Sequence, residues 1–341
     1  MIQPMVPLSV LDLAPITEGS NAAQALANTL DLDRHAEACG YQRYWLAEHH
    51  NMDGLACSST AVLVGHVAGG TQRIRVGSGG VMLPNHAPLV VAEQFGTLAT
   101  LYPDRIDLGL GRAPGTDQLT ARALRRHQAS AGAEDSFPDD VLELQGYLGE
   151  PQPGQAVKAT PGSGTQVPIW LLGSSTYSAQ LAAYLGLPFA FASHFAPDML
   201  FDALALYRRH YRPSERWPKP HAMVGVNVVA ADTDEEAAWH FTSLQQRFLG
   251  MQRGQRGPLP RPIDPALMAT LWNERERVQV ERMLAASAVG SPGTVMAQLG
   301  QLLERTQAEE LIVAGALHDH DARKHSYTLL AQVAEQVTVS A

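Results

Sequence analysis

Short apolar segments alternate with amphipathic segments along the chain, and this alternation predicts its secondary structure. A helix is expected after residue 21, with Ala22, Leu26 and Leu30 on one stripe and Gly40 just past its end, where a left-handed cap is common. Another helix is expected over residues 88–102, with Pro88 in its first turn. Eight short aliphatic or β-branched segments predict strands: 6–13, 41–47, 73–78, 106–110, 168–172, 188–192, 222–229 and 310–313.

Eight strands that are each followed by a helix are typical of parallel βα units, which close most economically into a barrel. We therefore predict an α/β fold, a (β/α)8 TIM barrel, as one domain over residues 1–341. A doubly wound open sheet is the structural alternative. Such a barrel needs about 250 residues, which leaves roughly 90 for insertions. The surplus lies before the last βα unit, at about residues 250–290, where Gly, Arg and Pro without an apolar period predict a mobile excursion over the active face.

Composition narrows the classes of function. Of 341 residues, 45% are hydrophobic and 17% charged, which excludes a disordered or fibrous chain. The formal net charge of −9 argues against nucleic acid or an anionic membrane surface as a partner. The two cysteines, Cys39 and Cys57, are typical of a reducing compartment. With no signal peptide and no apolar run near the roughly 18 residues of a membrane span, we expect a cytoplasmic protein.

The active site of a parallel barrel lies at the carboxyl ends of its strands, so the residues that follow each strand are the candidates. They are glycines, hydroxyl residues, histidines, a glutamate and an arginine: Glu48, His49 and His50 after the second strand, Gly79 and Gly80 after the third, Gly111 and Arg112 after the fourth, Gly173, Ser174 and Ser175 after the fifth, and Ser193 and His194 after the sixth. This set suits a flat anionic cofactor.

Two interpretations are open for the histidine pair. Neighbouring side chains on a strand point to opposite faces, so at most one of His49 and His50 enters the barrel mouth, and regular strand geometry prevents both from ligating one metal. One of them is then a packing residue and the other a loop residue, or one is a catalytic acid or base, a role that an ordinary pKa near 6.5 allows. Their position after a strand favours the catalytic interpretation.

The glycines, the arginine and the serines also allow two interpretations each. Gly79 and Gly80 form an ordinary turn, or they let a planar ring lie against the backbone. Arg112 is a solvated charge, or it forms a forked contact with phosphate. Ser175 is a simple helix cap, or it contributes to a phosphate cup with the free N–H groups of the helix start.

Two further motifs carry no prediction of a site. Residues 109–115 have the spacing GxGxxxG and follow the fourth strand, so they are not a Rossmann fingerprint. Residues 318–325, HDHDARKH, complete no tetrahedral or octahedral ligand set. We therefore predict no metal site.

Several segments together resemble the bacterial luciferase-like flavin monooxygenases. They are WLAEHH, VGSGGVMLPNHAPLVVAEQFGTLATLYPDRIDLGLGRAPG, GSSTYSAQLAAYLGLPFAFASHF and SPGTVMAQLGQLLERTQAEELIV. The resemblance implies a TIM barrel that binds reduced FMN as a cosubstrate, adds O2 to form a flavin hydroperoxide and oxidises a small organic substrate.

The resemblance also implies roles for particular residues. His49 matches a histidine credited with base catalysis, and His50 is its catalytic neighbour. Gly79 and Gly80 match a pair beneath the flavin, linked in luciferase by a cis peptide. The cofactor phosphate would be held by Arg112, Ser175 and Ser178, with Ser174 where luciferase has an acidic residue. Gly111 stands where luciferase has a reactive cysteine, so neither light emission nor an aldehyde substrate follows from the resemblance.

The partners follow from the same resemblance. A flavin reductase would supply reduced FMN, O2 and a small molecule would be the other substrates, and the chain would form a homodimer. Two alternatives stay open, a non-catalytic flavin-binding protein and a deazaflavin-dependent oxidoreductase on the same barrel.

Overall fold

Eight parallel strands form a closed barrel in the computed structural model, which describes residues 6–113, 115–124 and 136–339. A further strand, β8, pairs with β7 outside this ring. All described strands in chain order are β1 (Leu8–Asp12), β2 (Arg43–Leu46), β3 (Arg75–Met82), β4 (Ile106–Gly111), β5 (Ile169–Gly173), β6 (Phe189–Phe191), β7 (Ala222–Ala230), β8 (Ser287–Gly290) and β9 (Glu310–Ala314). Neighbours pair from β1 to β7, and β9 pairs with both β7 and β1, which closes the sheet. The predicted TIM barrel is confirmed, and the open sheet is excluded.

Helices surround the barrel. They are α1 (Ala22–Ala38), α2 (Thr60–Gly70), α3 (Pro88–Leu101), α4 (Gln118–Leu124), α5 (Phe137–Leu148), α6 (Thr176–Leu185), α7 (Leu200–His210), α8 (Asp234–Gln252), α9 (Pro265–Leu271), α10 (Glu274–Met283), α11 (Pro292–Thr306) and α12 (His320–Val339). The expected caps are present: Asn21 accepts a hydrogen bond from the N–H of Gln24 at the start of α1, and Gly40 after its end has a φ of 80°. Among the described residues, every helix is too short or too polar to cross a bilayer.

The segment before the last βα unit contains more regular structure than expected. It includes α9, α10 and β8, and β8 is a ninth strand that pairs in parallel with the end of β7. Met268 of α9 and Val280 of α10 pack with apolar residues of α8 in a second core. Each short helix buries only one apolar side chain, too few to create a visible period. The mobility expected of this segment stays a prediction.

The amino-terminal half of the barrel interior is filled by charged side chains in contact. Arg43 Nη1 lies 2.6 Å from Asp107 Oδ2, and Arg43 Nε lies 3.0 Å from Glu310 Oε1. Ser9 donates a 2.5 Å hydrogen bond to Glu310, so the network joins four strands. Buried charges are tolerated where they are paired in this way. This half of the barrel is therefore closed to a ligand, and the opposite end is left for function.

Small residues occupy the carboxyl half of the interior. By the alternation of side chains along each strand, Gly79 of β3, Gly109 and Gly111 of β4, and Gly225 of β7 face inward. Gly109 pairs with Trp170 between β4 and β5, and the ring of Trp170 meets that of Trp45 edge to face at 5.2 Å. The missing side chains leave room at the barrel mouth.

Candidate functional site

A corner whose residues could hold an anion lies where β4 and β5 end. The Cζ atom of Arg112 lies 4.1 Å from the ring centroid of Tyr177, in the first turn of α6. Ser175 precedes α6 in an extended conformation, and its hydroxyl makes no capping hydrogen bond. The helix start therefore offers N–H groups, the positive end of the helix dipole and a hydroxyl beside a guanidinium. The sequence-predicted Arg112 and Ser175 lie at the same end of the barrel.

Ser178 and Ser174 lie at the same corner in different environments. Ser178 is buried on the inner face of α6, and a Cβ at Gly173 would lie 2.5 Å from its Oγ, so glycine is required at position 173. Ser174 is partly exposed beside Ser175. The structure therefore brings all three predicted serines to this corner, with Ser178 reaching it from beneath.

The Gly79–Gly80 peptide forms the floor of the mouth, and its bond is cis. A Cβ at Gly79 would lie 2.7 Å from Leu11 Cδ1 and 3.1 Å from Trp45 Cβ, while one at Gly80 would lie 2.8 Å from the carbonyl oxygen of Gly109. These approaches leave no space for a side chain. The backbone itself is thus available as a flat surface.

Gly111, at the end of β4, lies against the side chain of Met82. A Cβ there would lie 2.8 Å from the Sδ of Met82. Because this sulfur lies near the end of a flexible side chain, a larger residue at position 111 would need only a small movement of Met82.

His49 follows the inward alternation of Arg43 and Trp45 on β2. Burial lowers its pKa, and the positive charge of Arg247 lowers it further, against a hydrogen bond with the backbone of Gly115 that acts in the opposite direction. His49 is therefore neutral at neutral pH, the form in which an imidazole can accept a proton.

The side chain of His50 points away from the mouth and contacts Glu48. Its Nε2 lies 2.8 Å from Glu48 Oε1, and Nε2 of His86 lies 2.9 Å from the same oxygen. The N–H of Met82 donates to the second carboxylate oxygen at 3.2 Å. Burial raises the pKa of Glu48, but the hydrogen bonds from the histidines outweigh it and the pKa is lowered. The ionised carboxylate thus ties the end of β2 to the loop after β3.

The three groups of this cluster could also hold a metal ion, since one ligand atom from each of Glu48, His50 and His86 lies within 4.8 Å of the others. The sequence prediction weighed only the neighbours His49 and His50. It missed His86 because this residue lies 36 positions beyond His50 and follows no strand. All three are satisfied by one another, so the cluster needs no ion to explain its geometry.

His194, which follows β6, closes the opposite side of the mouth. Its Nδ1 atom is buried without a hydrogen-bond partner in the described structure, and a Cβ at Gly225 would lie 2.6 Å from it. Burial lowers its pKa to about 4, with a smaller contribution from His49. The sequence marked His194 as a candidate because it follows a strand. The structure adds that its imidazole is neutral and faces the same space as His49.

Comparison with known proteins gives a consistent picture. A family model described as luciferase-like monooxygenase matches residues 6–310. The chain is 54% identical over 337 residues to a luciferase-like monooxygenase of Escherichia coli (strain K12), with 99% of each chain covered. An N-acetyl-S-alkylcysteine monooxygenase of Bacillus subtilis (strain 168) is 38% identical over 258 residues, which cover 74% of this chain and 76% of that protein. The crystal structure of apo-MsnO8 superposes with a TM-score of 0.89 at 37% identity and covers 97% of this chain and 99% of that one.

Two more distant structures share the fold and contain different cofactors. The oxygenating constituent of 3,6-diketocamphane monooxygenase from Pseudomonas putida, in complex with FMN, has a TM-score of 0.69 at 18% identity, covering 96% of this chain and 97% of that one. An F420-dependent secondary alcohol dehydrogenase with an F420–acetone adduct has a TM-score of 0.67 at 12% identity, covering 96% and 99%. One barrel architecture therefore accommodates a flavin or a deazaflavin.

Proposed function

Because the chain belongs to the luciferase-like monooxygenase family, we propose that it is a flavin-dependent monooxygenase that uses reduced FMN and O2 to oxidise a small organic substrate. One observation carries the proposal: Arg112 and the start of α6 lie at the same mouth as the Gly79–Gly80 floor and His49. An anion-binding corner, a flat slot and an imidazole are what a flavin phosphate, a flavin ring and its reaction require.

The residues present fit FMN. The Ser175 hydroxyl is not used for capping, and the guanidinium of Arg112 lies on the ring of Tyr177 at the same corner, so both can contact a phosphate. A Cβ at either glycine of the floor would collide with its surroundings, so this surface can only be backbone. We propose FMN rather than F420 as the cofactor. The similarity to an N-acetyl-S-alkylcysteine monooxygenase supports a small organic molecule as the substrate.

In this proposal the residues of the chain bind, orient and transfer a proton. Arg112, Ser174, Ser175 and Ser178 hold the phosphate, with Arg112 forming charge-assisted hydrogen bonds. Reduced FMN, when bound, supplies the electrons that activate O2. His49 accepts or donates a proton at the ring nitrogen that is not bonded to Gly115, and its lowered pKa keeps that nitrogen free near neutral pH.

His50 has an indirect role. Its hydrogen bond to Glu48 fixes the end of β2, so His50 positions His49 and does not contact the flavin ring itself.

A flavin reductase would supply reduced FMN. We also propose a homodimer, which size-exclusion chromatography with light scattering tests.

The function is tested with purified protein, FMN, NADH and a flavin reductase under 18O2, using a panel of small thioethers, aldehydes and ketones. Mass spectrometry should detect one 18O atom in a product, and His49→Ala should lower its formation at least about a hundredfold, because general acid–base catalysis contributes about that much or more. His66→Ala, an exposed histidine on α2, is the matched control. FMN binding with no labelled product across the panel would favour the non-catalytic alternative, and tighter binding of F420 than FMN would favour the deazaflavin alternative.

A further inference from the structure

Arg247 differs from the other buried arginines of the protein. Arg43 and Arg323 both form ion pairs with buried carboxylates. Arg247, on α8, is partly buried, and within residues 6–113, 115–124 and 136–339 no carboxylate pairs with it. Its one hydrogen bond is a 3.3 Å contact from Nη1 to the carbonyl oxygen of Gly257. A guanidinium has five N–H donors, so most of its capacity is unused.

Arg105 shows what a satisfied arginine without an ion pair looks like in this fold. It is also partly buried, and its donors bond to Ile74, Ala68 and two oxygens of Thr71. Four bonds at 2.7 to 3.1 Å replace the water that burial removes. Arg247 has no comparable set among the described residues, so most of its donors are left to solvent or to a ligand.

The guanidinium of Arg247 lies beside the mouth of the barrel. It packs behind the loop that follows β2, where a Cβ at Gly54 would lie 2.8 Å from Nη1. It is near enough to His49 for its charge to affect that imidazole. His194 faces the same space with an unpartnered Nδ1 above Gly225. Arg247 and His194 thus both keep unused hydrogen-bonding capacity at the mouth that His49 also faces.

The acidic residue of this neighbourhood does not serve as their counter-ion. Glu48 is 2% exposed and is occupied by His50, His86 and the N–H of Met82. The corner proposed for the flavin phosphate lies elsewhere, at Arg112 after β4. An anion bound by Arg247 would therefore belong to neither the described chain nor that phosphate.

We propose that Arg247, at the mouth that His49 and His194 also line, forms a subsite that binds the carboxylate of an organic acid, and that the substrate of the proposed oxygenase carries this group. The assignment of the ligand as the substrate rests on the proposed function, whereas the binding does not. Phe195, 42% exposed, meets the ring of His194 edge to face at 5.0 Å, so an apolar surface adjoins the subsite. The expected ligand is thus a carboxylate with a short apolar body.

The test measures binding to the flavin-free protein. Straight-chain carboxylates from butanoate to octanoate are each compared with their neutral amides by calorimetry or ligand-observed NMR. We expect the carboxylate of the best pair to bind at least tenfold more tightly than its amide. Arg247→Met, which keeps the aliphatic packing, should remove this preference, and Arg247→Lys should restore part of it. Arg256→Met is the matched control, because Arg256 is exposed and already pairs with Asp117.

The outcomes separate this subsite from the proposed function. Circular dichroism melting checks that each variant is folded before binding is compared. A carboxylate preference that depends on Arg247 supports the subsite even if no oxygenated product is found. Equal binding of acid and amide, or a preference that survives Arg247→Met, overturns it. Weaker binding of reduced FMN to Arg247→Met with no carboxylate preference would assign the cluster to the flavin and likewise overturn it.

Discussion

Replacing Glu48 by Gln removes the charge that holds two histidines and a backbone N–H at the end of β2. The carboxylate accepts from His50 at 2.8 Å, from His86 at 2.9 Å and from Met82 at 3.2 Å. An amide offers one acceptor oxygen and an NH2 group, so at least one of the three donors would face another donor. The substitution keeps the shape of the side chain and changes its hydrogen bonding.

The magnitude follows from the hydrogen bonds. A bond to a charged acceptor contributes about 1.5 to 3 kcal/mol and a neutral bond about 0.5 to 1.5 kcal/mol, so each bond loses about 1 kcal/mol. With three bonds, one of them long, we expect Glu48→Gln to lower the free energy of unfolding by about 2 to 3 kcal/mol at pH 7. Because the folded-state pKa of Glu48 lies below its value of 4.5 in the unfolded chain, this stabilisation is complete above pH 4.5. It is lost as the pH falls through the folded-state pKa.

Urea unfolding followed by circular dichroism measures the difference at pH 7 and again at successively lower pH. Glu304→Gln, at an exposed position of α11, is the control and should stay within about 0.5 kcal/mol of the parent protein. The reasoning is refuted if Glu48→Gln matches the parent at pH 7. It is also refuted if the difference does not shrink once the pH has fallen well below 4.5.

Three further predictions concern the cofactor corner, a buried acid and the core. Arg112→Ala should weaken FMN binding about ten- to a hundredfold by fluorescence titration. Arg212→Ala, at a guanidinium that lies 4.0 Å from the ring of Tyr184 in the last turn of α6, should not weaken it, and equal effects of the two substitutions would contradict the proposed phosphate corner. Burial and the charge of Glu37 raise the pKa of Asp33 to about 8, so its ionisation destabilises the fold as the pH rises from 4 to 8. In urea unfolding, Asp33→Asn should therefore stabilise the protein by about 1 kcal/mol or more at pH 8, with a smaller gain at pH 5. Phe95→Ala, in the core under α3, should cost about 3 to 5 kcal/mol in the same assay, while Leu101→Ala, 62% exposed on the same helix, should cost less than about 0.5 kcal/mol.

The barrel was predictable because its strands and most of its helices carry periodic apolar patterns. The missed elements have particular causes. In α5, the buried residues Phe137, Val141, Leu144 and Leu148 have helical spacing, but they follow a long polar stretch, and only one helix was expected between the fourth and fifth strands. The strand β8 has four residues, SAVG, and depends on pairing with β7 rather than on a pattern of its own. Tertiary pairing, not local preference, produces such an element.

The residues of the candidate site likewise fall into those that the sequence predicted and those that it missed. Arg112, Ser175 and His49 were predictable because the barrel brings strand ends together, so position in the chain implies position in space. His86 reaches the site from the position after a one-turn 3₁₀ helix, Leu83–Asn85, that follows β3, and Arg247 reaches it from α8. Neither follows a strand, and their contacts depend on how loops pack over the mouth. No periodicity in the sequence encodes that packing.

The alternation of side chains on β2 explains why adjacent residues have different tasks. Arg43 and Trp45 face the interior, while Tyr44 faces outward and donates a 2.6 Å hydrogen bond to Asp12. Continued past the strand end, the same alternation turns His49 toward the mouth and Glu48 away from it, to the loop after β3. One residue is thus free for chemistry because its neighbour secures the backbone, and a shift of one position would exchange the two. His49 is therefore the catalytic candidate, and Glu48 is the residue that supports it.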